Sequence, residues 1–146
     1  MLISKPLVAV ISSVAVLLVI QLVPVTRENP PVETDLQAPE SVKRILKRAC
    51  YDCHSNETRW PWYARVAPVS WVVAWDVSEA REEFNFSNWG SLEVEKRAEI
   101  REEIWEEVEE GEMPLWYYLP AHPEARLSDA DRALLREWSL GDRAGR

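Results

Sequence analysis

The chain begins with an apolar run. After Lys5, residues 6–25 are interrupted only by Ser12, Ser13 and Gln21. The run predicts a helix of 20 residues. At about 1.5 Å per residue it would cover roughly 30 Å, the hydrocarbon core of a bilayer. Lys5 before the run, and no basic residue until Arg27 after it, place the N-terminus in the cytoplasm. Everything downstream is then extracytoplasmic. A cleavable signal peptide is the rival reading. Against it, small residues at cleavage positions are missing near residues 23–25, and Ser13, Val14 and Ala15 sit inside the run. No Cys stands directly after the run, which excludes a lipid anchor. Residues 1–25 are therefore read as a transmembrane signal anchor.

The pattern then changes twice. Residues 26–38 are polar, contain Pro30 and Pro31, and show no apolar period. They read as a semi-extended tether lifting a domain off the membrane. From residue 39 helical spacing takes over. Val42, Ile45, Leu46, Ala49 and Cys50 form one stripe, with Lys43, Arg44, Lys47 and Arg48 opposite and Glu40 at the start. Residues 51–68 read as loop. Residues 69–84 read as a helix with Ala74 and Val77 inward, and residues 85–88 as a turn. Ser91 is the expected cap of a long helix to Glu110, ended by Gly111. Its inner face is Leu92, Ile100, Ile104, Trp105 and Val108. Residues 112–126 are proline-broken loop. Ser128 with Asp131 resembles a capping box that opens a last helix, whose stripe is Ala130, Leu134, Leu135 and Trp138 and which Gly141 ends. No strand pattern and no repeat is evident. The prediction is an all-α domain over residues 39–140, followed by a tail at 141–146.

Charge narrows the partners. The chain carries 17 basic and 25 acidic side chains, a net charge of −8. A nucleic-acid partner is therefore not expected, because phosphate binding wants a basic surface. The acidic side chains concentrate on the long helix, from Glu93 through Glu95, Glu99, Glu102, Glu103, Glu106, Glu107 and Glu109 to Glu110. They form either a solvated face or a docking surface for a basic redox partner. The 8 Trp residues are many for this length and suit a core built on a flat ligand, or one that simply gains buried area.

One motif carries chemistry. Cys50-Tyr51-Asp52-Cys53-His54 has the spacing of a c-type haem attachment site. Two thiols must reach two vinyl groups on one porphyrin edge, and the adjacent His must swing its imidazole under the iron. That His should be neutral, with its second nitrogen donating to a backbone carbonyl, expected in the 60–66 loop. A thioredoxin-like dithiol lacks its βαβ surroundings. A structural disulfide fits an oxidising compartment. Zinc would use Cys50, Cys53, His54 and His122, the only Cys and His in the chain. For the sixth iron ligand, Met113 is 59 positions beyond His54 and is the only Met besides Met1. Its thioether would raise the reduction potential. His122 is the alternative. Arg59, Trp60, Trp62 and Tyr63 offer donors for the haem edge, or form a stiff aromatic turn. Asn85 and Ser87 are expected to fix their turn by local hydrogen bonds.

These pieces, in this order, resemble c-type cytochromes. More closely they resemble the bacterial extracytoplasmic haem-binding domain family. The resemblance rests on CYDCHSNETRWPWYARVAPVSW (50–71), FNFSNW (84–89) and GEMPLWYYLPAHPEARLS (111–128), and with the flanking helices it covers residues 39–140. It implies a cytochrome c-like fold and one covalent haem c in a bacterial periplasm, anchored to the inner membrane. It departs from the family pattern where a His is usual near Trp75 and a Gly near Ala80. That departure leaves Met113 or His122 as sixth ligand.

The expected function is a membrane-anchored monohaem carrier of single electrons, not an enzyme, in which the iron supplies the chemistry. Alternatives are a haem-containing accessory or sensor subunit of a membrane redox complex, and a small haem peroxidase needing an open iron position.

Overall fold

Lys43, Arg44, Lys47 and Arg48 point away from a buried face of Val42, Ile45 and Leu46, and that division makes the first helix of the folded domain, Glu40–Ala49. The structure is a computed structural model, described over residues 4–141. Of the expected tail, all but Gly141 lies outside the described residues. The described chain holds six α-helices: α1 (Lys5–Ile20), α2 (Glu40–Ala49), α3 (Tyr51–His54), α4 (Val69–Glu83), α5 (Val94–Glu110) and α6 (Asp129–Leu140). Short 3-10 turns lie at Trp62–Arg65, Trp89–Ser91 and Pro123–Ala125. Among the described residues the only β pairing is a single bridge, Thr34 with Asn88. The expected all-α class is the one observed.

Two helix ends follow the capping chemistry read from the sequence. Gly111 ends α5 at φ +82°, a left-handed conformation in which an L side chain is strained. Ser128 and Asp131 form the capping box of α6, each side chain serving the other's backbone N–H. Ser91 does not cap α5. Its hydroxyl donates to the Asn88 carbonyl within the 89–91 turn, and α5 starts three residues later, at Val94. α6 packs on α5 and α2, and α3 packs on α4. The core joins Leu36, Leu46, Tyr51, Phe86, Trp89, Ile100, Trp105 and Leu135. In α6 the stripe is narrower than its spacing predicts: Leu135 is fully buried, Trp138 partly, and Leu134 and Ala130 are exposed.

Two expectations about the N-terminal segment need correction. The first is the membrane-crossing helix over 6–25. No helix among the described residues is long and apolar enough to cross a membrane. α1 has 16 residues, about 24 Å against a hydrocarbon core of about 30 Å. It stops because the next three amides, Gln21, Leu22 and Val23, bond to carbonyls only three residues back, and Pro24 then brings no N–H. The Gln21 side chain also turns away to the domain: its Nε2 donates to the Ala67 carbonyl at 3.1 Å and its Oε1 accepts the Ala67 N–H at 2.9 Å.

The second correction concerns residues 26–38, which are no free tether. They form a strap bound along the domain. Arg27 donates to the Ala64 carbonyl and Asn29 to that of Thr58. The N–H groups of Glu33 and Thr34 both reach the Ser87 carbonyl, and Leu36 N–H reaches that of Phe86. Leu36 is wholly buried. Asp35 takes the Lys43 ammonium at 2.6 Å and the Tyr51 hydroxyl at 2.7 Å. Burial works against the Asp35 carboxylate, yet those two donors bring its pKa below the usual range. The composition of this segment concealed its attachment, because most of the bonds run to backbone atoms. Leu36→Ala should cost about 2–5 kcal/mol, the range for emptying a buried Leu site. It should also speed amide exchange at residues 33–36. Urea unfolding and hydrogen exchange on the purified chain check this. A loss indistinguishable from zero would restore the tether.

Candidate functional site

α2 ends at Ala49, and Cys50 leaves helical geometry at φ −127° before the single turn of α3 begins. This break lets Cys50, Cys53 and His54 face one region although they are near neighbours in sequence. The N–H groups of Cys53 and His54 both bond back to the Cys50 carbonyl, which holds the turn closed.

His54 is buried and held from two sides. Its Nδ1 lies 3.0 Å from the Ala80 carbonyl. A carbonyl only accepts, so Nδ1 carries the proton and the Nε2 lone pair is the ring's donor atom. The Phe84 ring stacks on the imidazole at 4.0 Å, 8° from parallel. Burial drops the His54 pKa to about 4, with backbone hydrogen bonding at Phe84 and Ala80 opposing only part of that. The imidazole is therefore neutral at physiological pH. The carbonyl partner comes from α4 and not, as expected, from the 60–66 loop. It falls at Ala80, one of the two positions where the chain departs from the resemblance.

Two adjoining cavities of about 270 and 220 Å³ flank the motif, and Asp52, Cys53, Asp76, Leu115, Tyr117 and Tyr118 line both. Together they reach the range of about 300–1,000 Å³ usual for small-molecule sites. Cys50, His54 and Met113 border the second cavity, as does Trp75, the other departure from the resemblance. Arg59, Tyr63 and His122 border the first. Trp60 and Trp62 line neither: Trp60 faces a groove beneath the strap, and Trp62 is exposed. The aromatic loop thus brings Arg59, Pro61 and Tyr63 to the first cavity, and neither of its tryptophans.

The rim is a hydrogen-bonded network. Buried Asp52, between the two cysteines, accepts from the Tyr118 hydroxyl at 2.9 Å and the Arg59 N–H at 3.1 Å. The Asp52 carboxylate raises the Arg59 guanidinium above its ordinary value through hydrogen bonding and charge. Tyr117 donates to Asp76, whose carboxyl burial still pushes up. His122 is already engaged: Nε2 lies 2.7 Å from the Tyr63 hydroxyl, Nδ1 3.4 Å from Glu124, and the ring stacks on Tyr118 at 4.0 Å.

The alternatives to haem fit poorly. Burial, with Cys53 beside it, pushes the Cys50 thiol up to about 12. Burial, with Asp76 and Asp52, does the same for Cys53. Dithiol exchange uses thiolates, and this burial disfavours them. The four supposed zinc ligands are not brought together, and no group of three or more His, Cys, Asp or Glu among the described residues could hold a metal ion. Both cysteines are free.

Sequence reading missed several residues of this site. Asp52 reads as filler inside the motif. Arg81 gave no signal, yet it donates to the Ser55 and Glu28 carbonyls, to Asn29 and to Thr58, and so ties α4 to both the motif loop and the strap. Asn85 and Ser87 do hold their turn, with Asn85 Oδ1 accepting the Ser87 N–H. They reach further too. Ser87 Oγ accepts the Asn56 N–H and Asn85 donates to the Asn56 side chain, so the HSN and NFSN segments form one unit.

No curated protein and no solved structure matches the chain. A family model does match, over residues 15–140, and its span takes in the strap, the CxxCH turn, both cavities and α6. The chain belongs to the haem-binding domain family.

Proposed function

We propose that this haem-binding domain is a c-type cytochrome with a cytochrome c-like fold that carries single electrons on the extracytoplasmic side of a bacterial inner membrane. One observation carries the reading. Two thiols, a neutral imidazole and a thioether border a single cavity, on Cys50, Cys53, His54 and Met113. Cys50 and Cys53 would hold one haem by thioether bonds, His54 through Nε2, and Met113 through its sulfur. Haem supplies one-electron exchange at its iron.

The chain's own residues do the rest. Ala80 and Phe84 keep the imidazole in one tautomer and one plane. The carbonyl bond makes Nε2 a better donor. On the side of the first cavity Arg59 brings a guanidinium, while the Tyr63 and Tyr118 hydroxyls are bonded to His122 and Asp52. Met113 is favoured over His122 because both His122 nitrogens already have partners. The exposed acidic face of α5 suits a basic redox partner, which it would attract at long range.

α1 supports attachment to a membrane. It is apolar on every side, yet none of its residues is buried in the protein. Such a helix needs an apolar surrounding.

The test is spectroscopic. The full chain, expressed with haem-maturation machinery, should carry one pigment that survives acid–acetone extraction. Met113→Ala should turn its low-spin ferric spectrum high-spin and lower its reduction potential, while His122→Ala should do neither. If the chain acquires no pigment at all, the proposal fails. A wild-type chain that is already high-spin and binds cyanide would favour the peroxidase instead.

A further inference from the structure

We propose that the surface around Ala67 docks into the lipid headgroup layer, so that the haem-binding domain sits on the membrane in one orientation instead of swinging from its anchor; this rests on the reading of α1 as a membrane segment.

The geometry comes from the way α1 leaves the lipid. Gln21 is the residue immediately after α1, so it lies at the depth where the helix ends. Its amide pairs with both backbone groups of Ala67, at 3.1 and 2.9 Å. A two-point bond of this kind fixes direction as well as distance. Arg27 and Asn29 add ties to Ala64 and Thr58 further along. Whatever depth Gln21 takes, Ala67 takes it too. This holds for an α1 that lies in the interface, its 16 residues being too few to cross the hydrocarbon core.

The residues flanking Ala67 suit that place. Val66 and Pro68 are exposed, as is Trp71 one turn into α4. Trp71 shares a groove with Pro24 and Val25, the chain just leaving α1. Between Trp60 and Trp75 the only charged side chain is Arg65. Arg65 is exposed and can reach lipid phosphate while its stem lies on the apolar layer. Trp favours this interfacial zone, where one edge of the ring is wet and the other apolar. A soluble partner is the less favoured occupant, because the patch abuts an apolar helix end that itself requires lipid. Val69, beside the patch, also lines the first cavity. Docking would therefore bring the rim of the cofactor groove close to the bilayer, within reach of a redox partner embedded there.

The experiment uses the full chain in nanodiscs whose lipids carry a diazirine just below the headgroup. After photolysis, lipid adducts are mapped by peptide mass spectrometry. Adducts are expected on α1 and on the peptide of residues 66–81, several-fold above those on the peptide bearing the more exposed Trp116. Gln21→Ala and Val66→Asp should each lower labelling of 66–81 several-fold and leave that of α1 unchanged. Labelled α1 with 66–81 no higher than the Trp116 peptide overturns docking and leaves the membrane reading intact. Unlabelled α1 overturns both.

Discussion

His54→Ala should abolish the low-spin spectrum and cost more pigment than any other single change in the site. The reason is a shortage of substitutes. The chain has two His residues, and the second is committed to Tyr63 and Glu124 beside the other cavity. Met113 offers a sulfur but no nitrogen, and Asp52 and Asp76, the carboxyls on both cavities, are held by Tyr118 and Tyr117. Removing a partner that merely orients a metal-bound imidazole typically weakens binding about 10–100-fold. Removing the imidazole itself should exceed that. Phe84→Ala, which leaves the Ala80 bond but removes the stacking ring, should fall between His54→Ala and the wild type. Soret absorbance per mole of protein and the ferric spin state, recorded on purified chains, check the series. A His54→Ala chain with wild-type pigment and a low-spin iron would show that another residue is the ligand.

The same site shows what a sequence can and cannot display. α2, α4 and α6 begin and end within a residue or so of where their apolar spacing and caps place them, because those signals belong to side chains whose identity is written in the chain. The Cys50, Cys53 and His54 spacing was legible for the same reason. The acceptor of His54 was not. It is the carbonyl of Ala80, and a carbonyl looks alike on every residue. The strap escaped notice likewise: its amides bond to Ser87 and Phe86 carbonyls, and Leu36 is a lone apolar residue with no period to announce it. Ser91 failed as a helix cap because it had a nearer partner in Asn88. The 6–25 run showed hydropathy but not the competition at Gln21, whose side chain bonds to Ala67, 46 positions away. Local chemistry was readable, and partners distant in sequence were not.

Phe86→Ala should be the most damaging core substitution, at about 3–5 kcal/mol. Phe86 is completely buried. Its ring stacks on Tyr51 at 4.8 Å and meets Phe84 edge-on at 5.2 Å, His54 at 6.4 Å and Trp89, tilted, at 5.9 Å. Its backbone joins two further parts: the N–H donates to the His54 carbonyl at 2.8 Å, and the carbonyl accepts the Leu36 N–H at 3.1 Å. One residue therefore fixes the ligand turn, the strap and the α4–α5 connection together. A cavity left there cannot close by moving a single element, so relaxation recovers little of the loss. Since whole domains hold only about 5–15 kcal/mol, the variant should sit near the edge of folding. Trp105→Ala supplies the control, as it empties a core site on the α5 side with a comparable general cost. Phe86→Ala should loosen His54 as well, seen as a larger rise in high-spin iron than Trp105→Ala gives at matched stability. Urea unfolding gives the energy and the ferric spectrum gives the second readout. A loss below about 1 kcal/mol, the ordinary size for a point substitution, would mean that the ligand turn is held by its own hydrogen bonds and not by this ring.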